Sequence, residues 1–513
     1  MGTVRILGAS LAGASAELVT IEARYEEDRE AGRVDVLLTG LPDPVIRESR
    51  GRLLCALSAN GLGVPPGRLY LNLVPAARRK SGEILDLPLL LGAAAAAGHL
   101  KRRAVERRLF LGEVGIDGAL HAVPGGLAAA LAARATGVDE VLAPRATALE
   151  AAWVPGVKAF GAAHVEDFVR HLVGSFPLEP LAPTSADNSP DMGLSVDDVR
   201  GQASGKLALA VAAHGGHGLL FIGPPGTGKS MLARRITTLL PAPSLPERLD
   251  ITRVLSASGR WPGGLATARP YRAPHHTVSY AGLVGGGSPP SPGEITLAHC
   301  GVLFLDELPE FRREVLEALR QPLESGSITL SRAGRQLELE ARFQLVAAMN
   351  PCPCGYMGHP RVPCHCPPTL VQRYRSRISG PLLDRIDLRV ELAAPTLDEL
   401  GNTALSTVTG GGSSGLLTAA GLRDQLARAA ALQRERQGER RNCDLDAKAL
   451  DRHAPLDSAA RALLGKLAQK RGLSARAVQS LRCVARSVAD LDGSEATTTA
   501  HLARALALRS PLL

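Results

Sequence analysis

A glycine-rich segment near the middle of the chain carries the residue types that hold phosphate groups. The apolar run Leu219–Ile222 leads into this segment and a helical stretch follows it, which matches the phosphate-loop pattern G-x-x-x-x-G-K-[ST]. The segment consists of Gly223, Pro224, Pro225, Gly226, Thr227, Gly228, Lys229 and Ser230. Backbone N–H groups and a helix N-terminus attract phosphate oxygens there, while the lysine reaches the β- and γ-phosphates. We therefore predict a nucleoside triphosphate site in which the Ser230 hydroxyl ligates Mg²⁺.

Two adjacent carboxylates follow a second apolar run and supply further chemistry to such a site. Val302–Leu305 is typical of a buried strand, and Asp306 and Glu307 come directly after it. Successive side chains of a strand point to opposite sides, so the two acids suit different tasks. We predict that Asp306 holds Mg²⁺ through water and that Glu307 polarises the attacking water. Taken alone, the pattern also fits a strand that ends in solvated acids.

A polar residue ends a third apolar run. Phe343–Met349 leads into Asn350, which Pro351 follows. An Asn-Pro pair is usually only a turn. Because this strand follows the acidic strand in the chain, we predict that Asn350 orients the attacking water near the γ-phosphate.

Four of the eight cysteines fall within fifteen residues and resemble a metal-ligand set. They are Cys352, Cys354, Cys364 and Cys366, with the spacing C-x-C-x₉-C-x-C inside the loop 351–367. Zinc prefers tetrahedral thiolate sites, although its usual cysteine spacing is slightly wider. A structural Zn²⁺ site and four reduced free cysteines are both open. A catalytic zinc is disfavoured, because four protein ligands leave no free position.

Two arginines sit at the tip of a predicted β-hairpin. Alternating apolar residues in Ile328–Leu339 flank a glycine turn that carries Arg332 and Arg335. Paired arginines at a tip suit contact with a nucleic-acid backbone, and an ordinary surface hairpin is the alternative.

The net charge is +9, and residues 421–513 hold 17 Lys+Arg against 10 Asp+Glu. This is a mild preference for polyanions, and the 3% aromatic content argues against base stacking.

The elements that position these residues divide the chain into three regions. With 513 residues, the chain exceeds the roughly 250–300 residues of one hydrophobic core. Composition predicts units at 1–173, 192–400 and 416–513, joined by a Pro/Ser-rich linker at 174–191 and a Gly/Ser-rich linker at 401–415. Strands alternate with helices in the central unit, which predicts an α/β parallel sheet, and the last unit is helical. No apolar run is long enough to span a membrane and no secretory signal is present, so we expect a cytoplasmic protein.

Together, these motifs resemble the magnesium-chelatase-like AAA+ ATPases of the ComM/YifB type over nearly the whole chain. The resemblance implies ATP as the nucleotide, Asn350 as the sensor-1 residue, and Arg385 of GPLLDRIDL as the arginine finger for a neighbouring subunit's γ-phosphate. It also implies that Arg476 of LSARAVQ is the sensor-2 residue of a helical lid, and that Gln202 of DVRGQ lies near the adenine. The alternatives are that Arg385 pairs within the chain with Asp384 or Asp387 and that Arg476 is a surface residue.

The first region resembles a Lon-protease-like α+β domain, on stretches such as LTGLPD, NLVPA and KSGEILDLP. Proteolysis by that fold needs a serine nucleophile and a lysine base. Aligned by eye, those positions hold Ile84 and Asp139, which supply neither. We therefore expect a scaffold or DNA-contacting unit that is not a protease.

The resemblance implies a homo-hexameric, ATP-dependent DNA motor, specifically a helicase that promotes branch migration on single-stranded or branched DNA during recombination and natural transformation. A magnesium-chelatase-type ATPase subunit that remodels a protein partner is the alternative. Within the family pattern, such subunits are expected to lack the N-terminal region. No membrane partner is expected.

Overall fold

The computed structural model of the protein describes most of the chain. The described residues are 2–28, 30, 32–75, 80, 82–183, 193–261, 263–286, 291–332, 335–394 and 418–510, with only the backbone at 44, 45, 47, 291, 331, 332 and 335–337. The predicted linker 401–415, and residues 184–191 of the predicted linker 174–191, lie outside them.

A seven-stranded sheet forms the N-terminal unit. The strands of the unit are β1 (Val4–Ala12), β2 (Ser15–Glu27), β3 (Val34–Thr39), β4 (Gly67–Val74), β5 (Leu109–Phe110), β6 (Glu113–Val114), β7 (Leu120–His121), β8 (Glu140–Pro144) and β9 (Lys158–Ala162). The order across the sheet is β3-β4-β2-β1-β5-β8-β9, and β6 pairs with β7 separately. β2 runs antiparallel to β1 and β4, and the other neighbours are parallel.

Helices cover this sheet. They are Pro44–Ala59, Asp86–Ala96, Arg102–Val105, Gly126–Ala135, Arg145–Ala151 and Val165–Val173. Every residue of Asp86–Ala96 is buried, because its leucines and alanines face the hydrophobic core on all sides. No helix in the described ranges is long and apolar enough to cross a membrane.

A five-stranded parallel sheet carries the motifs of the central unit. Its strands are β10 (Leu219–Ile222), β11 (Tyr271–Arg272), β14 (Val302–Leu305), β17 (Gln344–Met349) and β18 (Leu388–Glu391). The order is β11-β14-β17-β10-β18, and all pairs are parallel. All residues of β10, β14 and β17 are buried, as continuous apolar strands of a covered parallel sheet should be. The carboxyl ends of these three strands therefore meet at one edge.

Helices and two small hairpins surround this sheet. The helices are Ala203–Gly215, Lys229–Arg235, Leu245–Ala257, Tyr280–Val284, Glu294–Leu297, Arg313–Ala318, Pro322–Ser325, Pro368–Arg375 and Gly380–Leu383. β12 (Gly285–Gly286) pairs with β13 (Ser291–Pro292), and β15 (Ser327–Arg332) pairs antiparallel with β16 (Arg335–Glu340). The second pair confirms the hairpin that the alternating sequence predicted.

Helices make up the C-terminal unit. They are Ala419–Gln437, Ala447–His453, Ser458–Arg471, Ala475–Leu491 and Thr499–Ala507. The unit shares a hydrophobic core with the central sheet and its helix Ala203–Gly215. A buried polar network also joins them, because Asp490 accepts hydrogen bonds from His214 at 3.1 Å and Arg436 at 2.6 Å. Although burial acts to raise it, these donors hold the pKa of Asp490 well below its usual range.

The N-terminal unit packs on the central unit at the helix Leu245–Ala257. The Gly125 N–H donates to the Ser256 carbonyl at 3.2 Å, and the Ser256 hydroxyl bonds the buried Glu150 carboxylate. Arg253 of the same helix donates to the Ser15 hydroxyl at 2.9 Å.

The predicted fold class, an α/β protein with a parallel central sheet and a helical C-terminus, is confirmed. The exact domain boundaries and the Lon-like character of the first unit remain predictions.

Candidate nucleotide site

The phosphate loop lies between β10 and the helix Lys229–Arg235. Gly226 and Gly228 have φ of 78° and 83°, which a side chain would disfavour, so their backbone turns are possible because they are glycines. The Lys229 ammonium folds back over the loop and donates to the carbonyls of Gly223 at 2.6 Å and Pro224 at 2.9 Å. Burial lowers the pKa of Lys229, while Asp306 and Glu307 oppose the shift. The loop therefore holds the ammonium group against its own backbone carbonyls.

The acid pair stands where the sequence placed it, at the end of β14. The Ser230 hydroxyl donates to Asp306 Oδ2 at 2.6 Å, so the two predicted Mg²⁺ ligands are in contact. The other carboxylate oxygen of Asp306 accepts the Glu307 N–H at 2.9 Å. Glu307 has φ of 52°, a left-handed conformation that is uncommon for a residue with a side chain. Oxygen ligands side by side suit Mg²⁺ that arrives with a nucleotide.

Asn350 completes the group from β17, between the strands of the acid pair and the phosphate loop. Its Oδ1 accepts a hydrogen bond from Lys229 at 3.0 Å. The structure therefore brings Lys229, Ser230, Asp306, Glu307 and Asn350 to one edge of the sheet. Their catalytic roles remain predictions.

One residue near this edge was given no role from the sequence. His276 follows β11, the neighbour of β14, and its Nδ1 lies 3.3 Å from Glu307 Oε2. β11 lies on the side of β14 away from β10, so His276 approaches Glu307 from the far side of the acidic strand. The signal in the sequence that could have indicated a role for His276 was its position shortly after β11, the strand beside β14.

Gln202 begins the helix Ala203–Gly215, in a left-handed backbone conformation. Its amide donates to the Ala393 carbonyl, just beyond β18, at 2.7 Å. Nearby Asp198 pairs with Arg235 of the phosphate-loop helix at 2.8 Å. The segment is thus attached beside the phosphate loop, and its contact with adenine remains a prediction.

Arg385 and Arg476 lie together, on a single carboxylate. Arg385 Nη2 is 2.6 Å from Glu324 Oε2, and Arg476 Nη1 is 3.2 Å from Glu324 Oε1. Neither Asp384 nor Asp387 is the ion-pair partner of Arg385 among the described residues. Arg476 is on a helix surface and 42% exposed. Both arginines therefore share Glu324 as a partner, a residue that was not predicted from the sequence.

The four cysteines form one cluster. Cys352 Sγ lies 3.3 Å from Cys354 Sγ and 3.6 Å from Cys364 Sγ, and the four sulfurs, including that of Cys366, lie within 4.8 Å of one another. A tetrahedral site with Zn–S bonds of about 2.3 Å has sulfurs about 3.8 Å apart. The cluster therefore fits Zn²⁺ in ligand type, number and spacing. A hydrogen bond from the Tyr356 backbone lowers the pKa of the Cys354 thiol to about 6.

The cysteine loop packs directly on the phosphate site. Gly355 is so close to this site that a Cβ there would lie 2.9 Å from Pro225 Cδ and 3.8 Å from Asn350 Cγ. Arg375 donates to the carbonyl of Pro351 at 3.1 Å and fastens the start of the loop. The position of the cysteine loop and the position of Asn350 are therefore coupled.

A second group of possible metal ligands, Asp250, His299 and Glu340, does not fit a metal. His299 Nδ1 accepts the Arg342 N–H at 3.2 Å, so Nε2 must carry the ring hydrogen and cannot bind a cation. Arg253 also bonds the Glu340 carboxylate at the foot of the hairpin. This group is an ion-pair network.

Arg332 and Arg335 are paired across the end of the β15–β16 hairpin. The backbone places both at the distal end, as predicted. Their side chains lie outside the described part of the structure, so their predicted DNA contacts gain no further geometry.

Comparisons with known proteins agree over nearly the full length. The family described as "Magnesium chelatase, subunit ChlI" matches residues 195–400, and "Subunit ChlI of Mg-chelatase" and "Magnesium chelatase, subunit ChlI C-terminal" match 25–147 and 417–509. The chain is 40% identical over 511 residues to the competence protein ComM of Haemophilus influenzae, covering 97% of this chain and 96% of the relative.

Two further relatives complete the comparison. The uncharacterized protein YifB of Escherichia coli is 38% identical over 508 residues, covering 97% of this chain and 95% of the relative. A DNA replication licensing factor, MCM7 of Oryza sativa, is 26% identical over 191 residues, which cover 36% of this chain and 23% of the relative. Family membership implies ATP and Mg²⁺ as ligands of the phosphate site. The chain belongs to the ComM/YifB family of magnesium-chelatase-like AAA+ proteins.

Proposed function

We propose that the protein is a ring-forming ATPase that moves branched DNA, with the phosphate site as its motor. The observation that carries the ATPase proposal is the convergence of Lys229, Ser230, Asp306, Glu307 and Asn350 at the carboxyl edge of one parallel sheet. A phosphate cradle, two acids and a polar amide at this edge are the parts that nucleotide hydrolysis requires.

Each residue has a separate task in hydrolysis. Lys229 leaves the loop carbonyls and binds the β- and γ-phosphates, while Ser230 and Asp306 would hold Mg²⁺, which supplies charge neutralisation on the phosphate oxygens. Glu307 accepts a proton from water as the water oxygen bonds to the γ-phosphorus. The bond from that phosphorus to the β–γ bridging oxygen breaks, and ADP leaves with that electron pair. Asn350 orients the water.

A neighbouring subunit completes the site. The family resemblance implies that Arg385 acts on the nucleotide of an adjacent chain, and Arg476 shares its partner Glu324, so we propose the same role for Arg476. A planar guanidinium stabilises the charge that spreads over a γ-phosphate during transfer. We therefore propose a closed homo-oligomer, specifically a hexamer.

DNA is the proposed substrate. The distal end of the β15–β16 hairpin carries Arg332 and Arg335, which suit phosphate contacts that are independent of sequence. The basic surplus of residues 421–513 adds to this preference. Relatives named as a competence protein and a DNA replication licensing factor support a role in DNA processing. From these we propose branch migration in recombination and natural transformation.

A gel assay with labelled forked and four-way DNA tests this function. We expect strand movement that needs ATP and that disappears in Glu307→Gln, which should still bind ATP. An ATPase that neither binds nor moves these DNAs would contradict the proposal.

Remodelling of a protein partner in the manner of a chelatase subunit is the second candidate. It is favoured by the chelatase descriptions that match all three regions, including residues 25–147. The presence of the N-terminal unit therefore does not by itself distinguish the two functions. The same assay distinguishes them, because a protein remodeller is not expected to move DNA strands.

A further inference from the structure

Arg385 is not available to a neighbouring subunit in this conformation. Its side chain is only 10% exposed, and both terminal nitrogens are engaged, Nη1 with the Pro381 carbonyl at 2.7 Å and Nη2 with Glu324 at 2.6 Å. Its Nε is buried without a hydrogen-bond partner. A guanidinium in this state cannot bind a phosphate outside the chain until the Glu324 contact breaks.

Glu324 is the residue that engages both arginines for which we propose action on a neighbouring subunit. Each of its carboxylate oxygens accepts from one arginine, and the hydrogen bond from Arg385 followed by that from Arg476 lowers its pKa. It stands in the short helix Pro322–Ser325, beside an open cleft of about 490 Å³ that Arg385 and Arg320 also line. The Glu324 side chain is 58% exposed, so it can move into solvent and uncover the arginine nitrogens to an anion that enters the cleft.

We propose that Glu324 is a positioning residue whose carboxylate occupies the place of a neighbouring subunit's γ-phosphate. It keeps Arg385 and Arg476 from acting on a nucleotide until the γ-phosphate of ATP displaces it. The inference rests on the proposed trans action of these arginines. A γ-phosphate carries more negative charge and more acceptor oxygens than a carboxylate, so it competes for the same N–H donors. ADP lacks that group, so the contacts of Glu324 with Arg385 and Arg476, which we call the latch, stay closed.

The arginines do not need Glu324 to keep their elements in place. Asp387, two residues after Arg385, accepts a hydrogen bond from Ser480 of the Arg476 helix at 2.5 Å. Arg509 donates to both the Asp387 carbonyl at 2.9 Å and the Ser480 hydroxyl at 2.8 Å. Removing the charge of Glu324 should therefore free the two side chains without loosening this face of the molecule.

Steady-state ATPase of the full-length protein tests the latch across a range of ATP concentrations. Because ion pairs of an exposed carboxylate are individually weak, Glu324→Gln should lower the ATP concentration for half-maximal rate only roughly two- to tenfold. Glu324→Asp, which keeps the charge, should stay nearer the wild type. Glu317→Gln is the matched control in the same cleft, where it removes a carboxylate that pairs with Arg320.

Two outcomes would overturn the latch. Glu324→Gln with an unchanged or higher half-maximal ATP concentration means that the carboxylate does not compete with ATP. A collapse of the maximal rate with normal thermal unfolding means that Glu324 aids catalysis. The variant Arg385→Ala distinguishes failure of the latch from failure of the proposed trans action. Full activity of Arg385→Ala refutes the trans action itself. An inactive Arg385→Ala beside an unaltered Glu324→Gln refutes only the latch.

Discussion

In the proposed mechanism, Lys229 serves binding of the nucleotide and Glu307 serves its hydrolysis. In this structure, Lys229 donates to loop carbonyls and to Asn350, and the Glu307 carboxylate lies 3.3 Å from His276 Nδ1. Both side chains must exchange these partners when ATP binds.

Substitution of these two residues should give opposite defects. Lys229→Ala removes charge-assisted bonds to phosphate, each worth about 1.5–3 kcal/mol, and should weaken ATP binding by at least about tenfold. Glu307→Gln should bind ATP normally and lose about 10²–10⁴ in turnover, the usual contribution of a general base. A fluorescent ATP analogue measures binding, and phosphate release measures turnover.

Glu310→Gln is the control for that pair, since Glu310 lies on the same turn and pairs with Arg377. It should leave both quantities close to the wild type. Normal hydrolysis by Glu307→Gln would show that another group activates the water.

The phosphate site was predictable from sequence because parallel strands fix where their ends lie. Lys229, Asp306 and Asn350 each follow an apolar run, and neighbouring strand ends meet without further information. Glu324 and His276 were not predictable, because they meet Arg385 and Glu307 only through packing of distant segments. The helical pattern around Arg476 was predictable but its partner was not, since helical spacing specifies a face and not what lies against it.

At the scale of elements, the cysteine loop and the β15–β16 hairpin are additions to the parallel sheet. The alternation of Ile328–Leu339 sufficed to predict the hairpin, because a strand with period two must pair. The contact of Gly355 with Pro225 could not be predicted from the sequence, because the cysteine loop has no periodic pattern that indicates where it packs. The loop nevertheless supports the site, since it begins directly after Asn350.

Zinc should be present at about one atom per chain, because four cysteine sulfurs within 4.8 Å form a closed tetrahedral set. Elemental analysis of protein purified without added metal or chelator measures it. Changing Cys352, Cys354, Cys364 and Cys366 together to Ser should abolish the metal and impair turnover through the displaced Asn350.

Cys55→Ser is the control, since Cys55 is an exposed free cysteine of the N-terminal unit. It should keep both zinc and turnover. Folded, active protein that contains no metal would favour four reduced thiols instead.

The hairpin should contribute to DNA affinity through charge alone. Each neutralised phosphate gives a slope of about −0.9 in log affinity against log salt, so replacing Arg332 and Arg335 by Ala should make the slope shallower by about two. Fluorescence anisotropy with duplex DNA at several salt concentrations measures it. DNA-stimulated ATPase should fall while basal ATPase largely survives, because the hairpin is not part of the phosphate site.

A matched pair replaces Arg24 and Arg50, whose charges are already paired with Glu26 and Asp35. This pair should leave the slope unchanged. If the hairpin variant keeps its DNA affinity and strand movement, the basic helices after residue 416 become the next candidates.

At the scale of the whole molecule, the three units meet around the central sheet. Arg253 contacts Ser15 of the N-terminal unit and Glu340 at the foot of the hairpin, so a shift of that unit bears on the proposed DNA contact. On the other side, the Asp387–Ser480 contact joins the finger segment to the helix of Arg476. Composition predicted three regions but could not predict these contacts, because long-range polar pairs leave no local pattern.

Mixtures of inactive variants test the proposed division of labour between subunits. If Arg385 and Arg476 both act on a neighbour's ATP, each active interface takes Lys229 from one chain and both arginines from the next. Lys229→Ala mixed with Arg385→Ala should then recover some hydrolysis, and Lys229→Ala mixed with Arg476→Ala should do the same. Arg385→Ala mixed with Arg476→Ala should recover none, since every interface lacks one arginine.

The opposite pattern identifies an Arg476 that acts within its own chain. In that case Arg385→Ala and Arg476→Ala would complement each other, while Lys229→Ala and Arg476→Ala would not, because both lesions would lie on one side of every interface. Mixed rings must first be verified by differently tagged subunits that co-purify. Because Arg385 and Arg476 share Glu324 in one chain, we expect both to act from the same side of each subunit interface. Arg385→Ala and Arg476→Ala should therefore not complement each other.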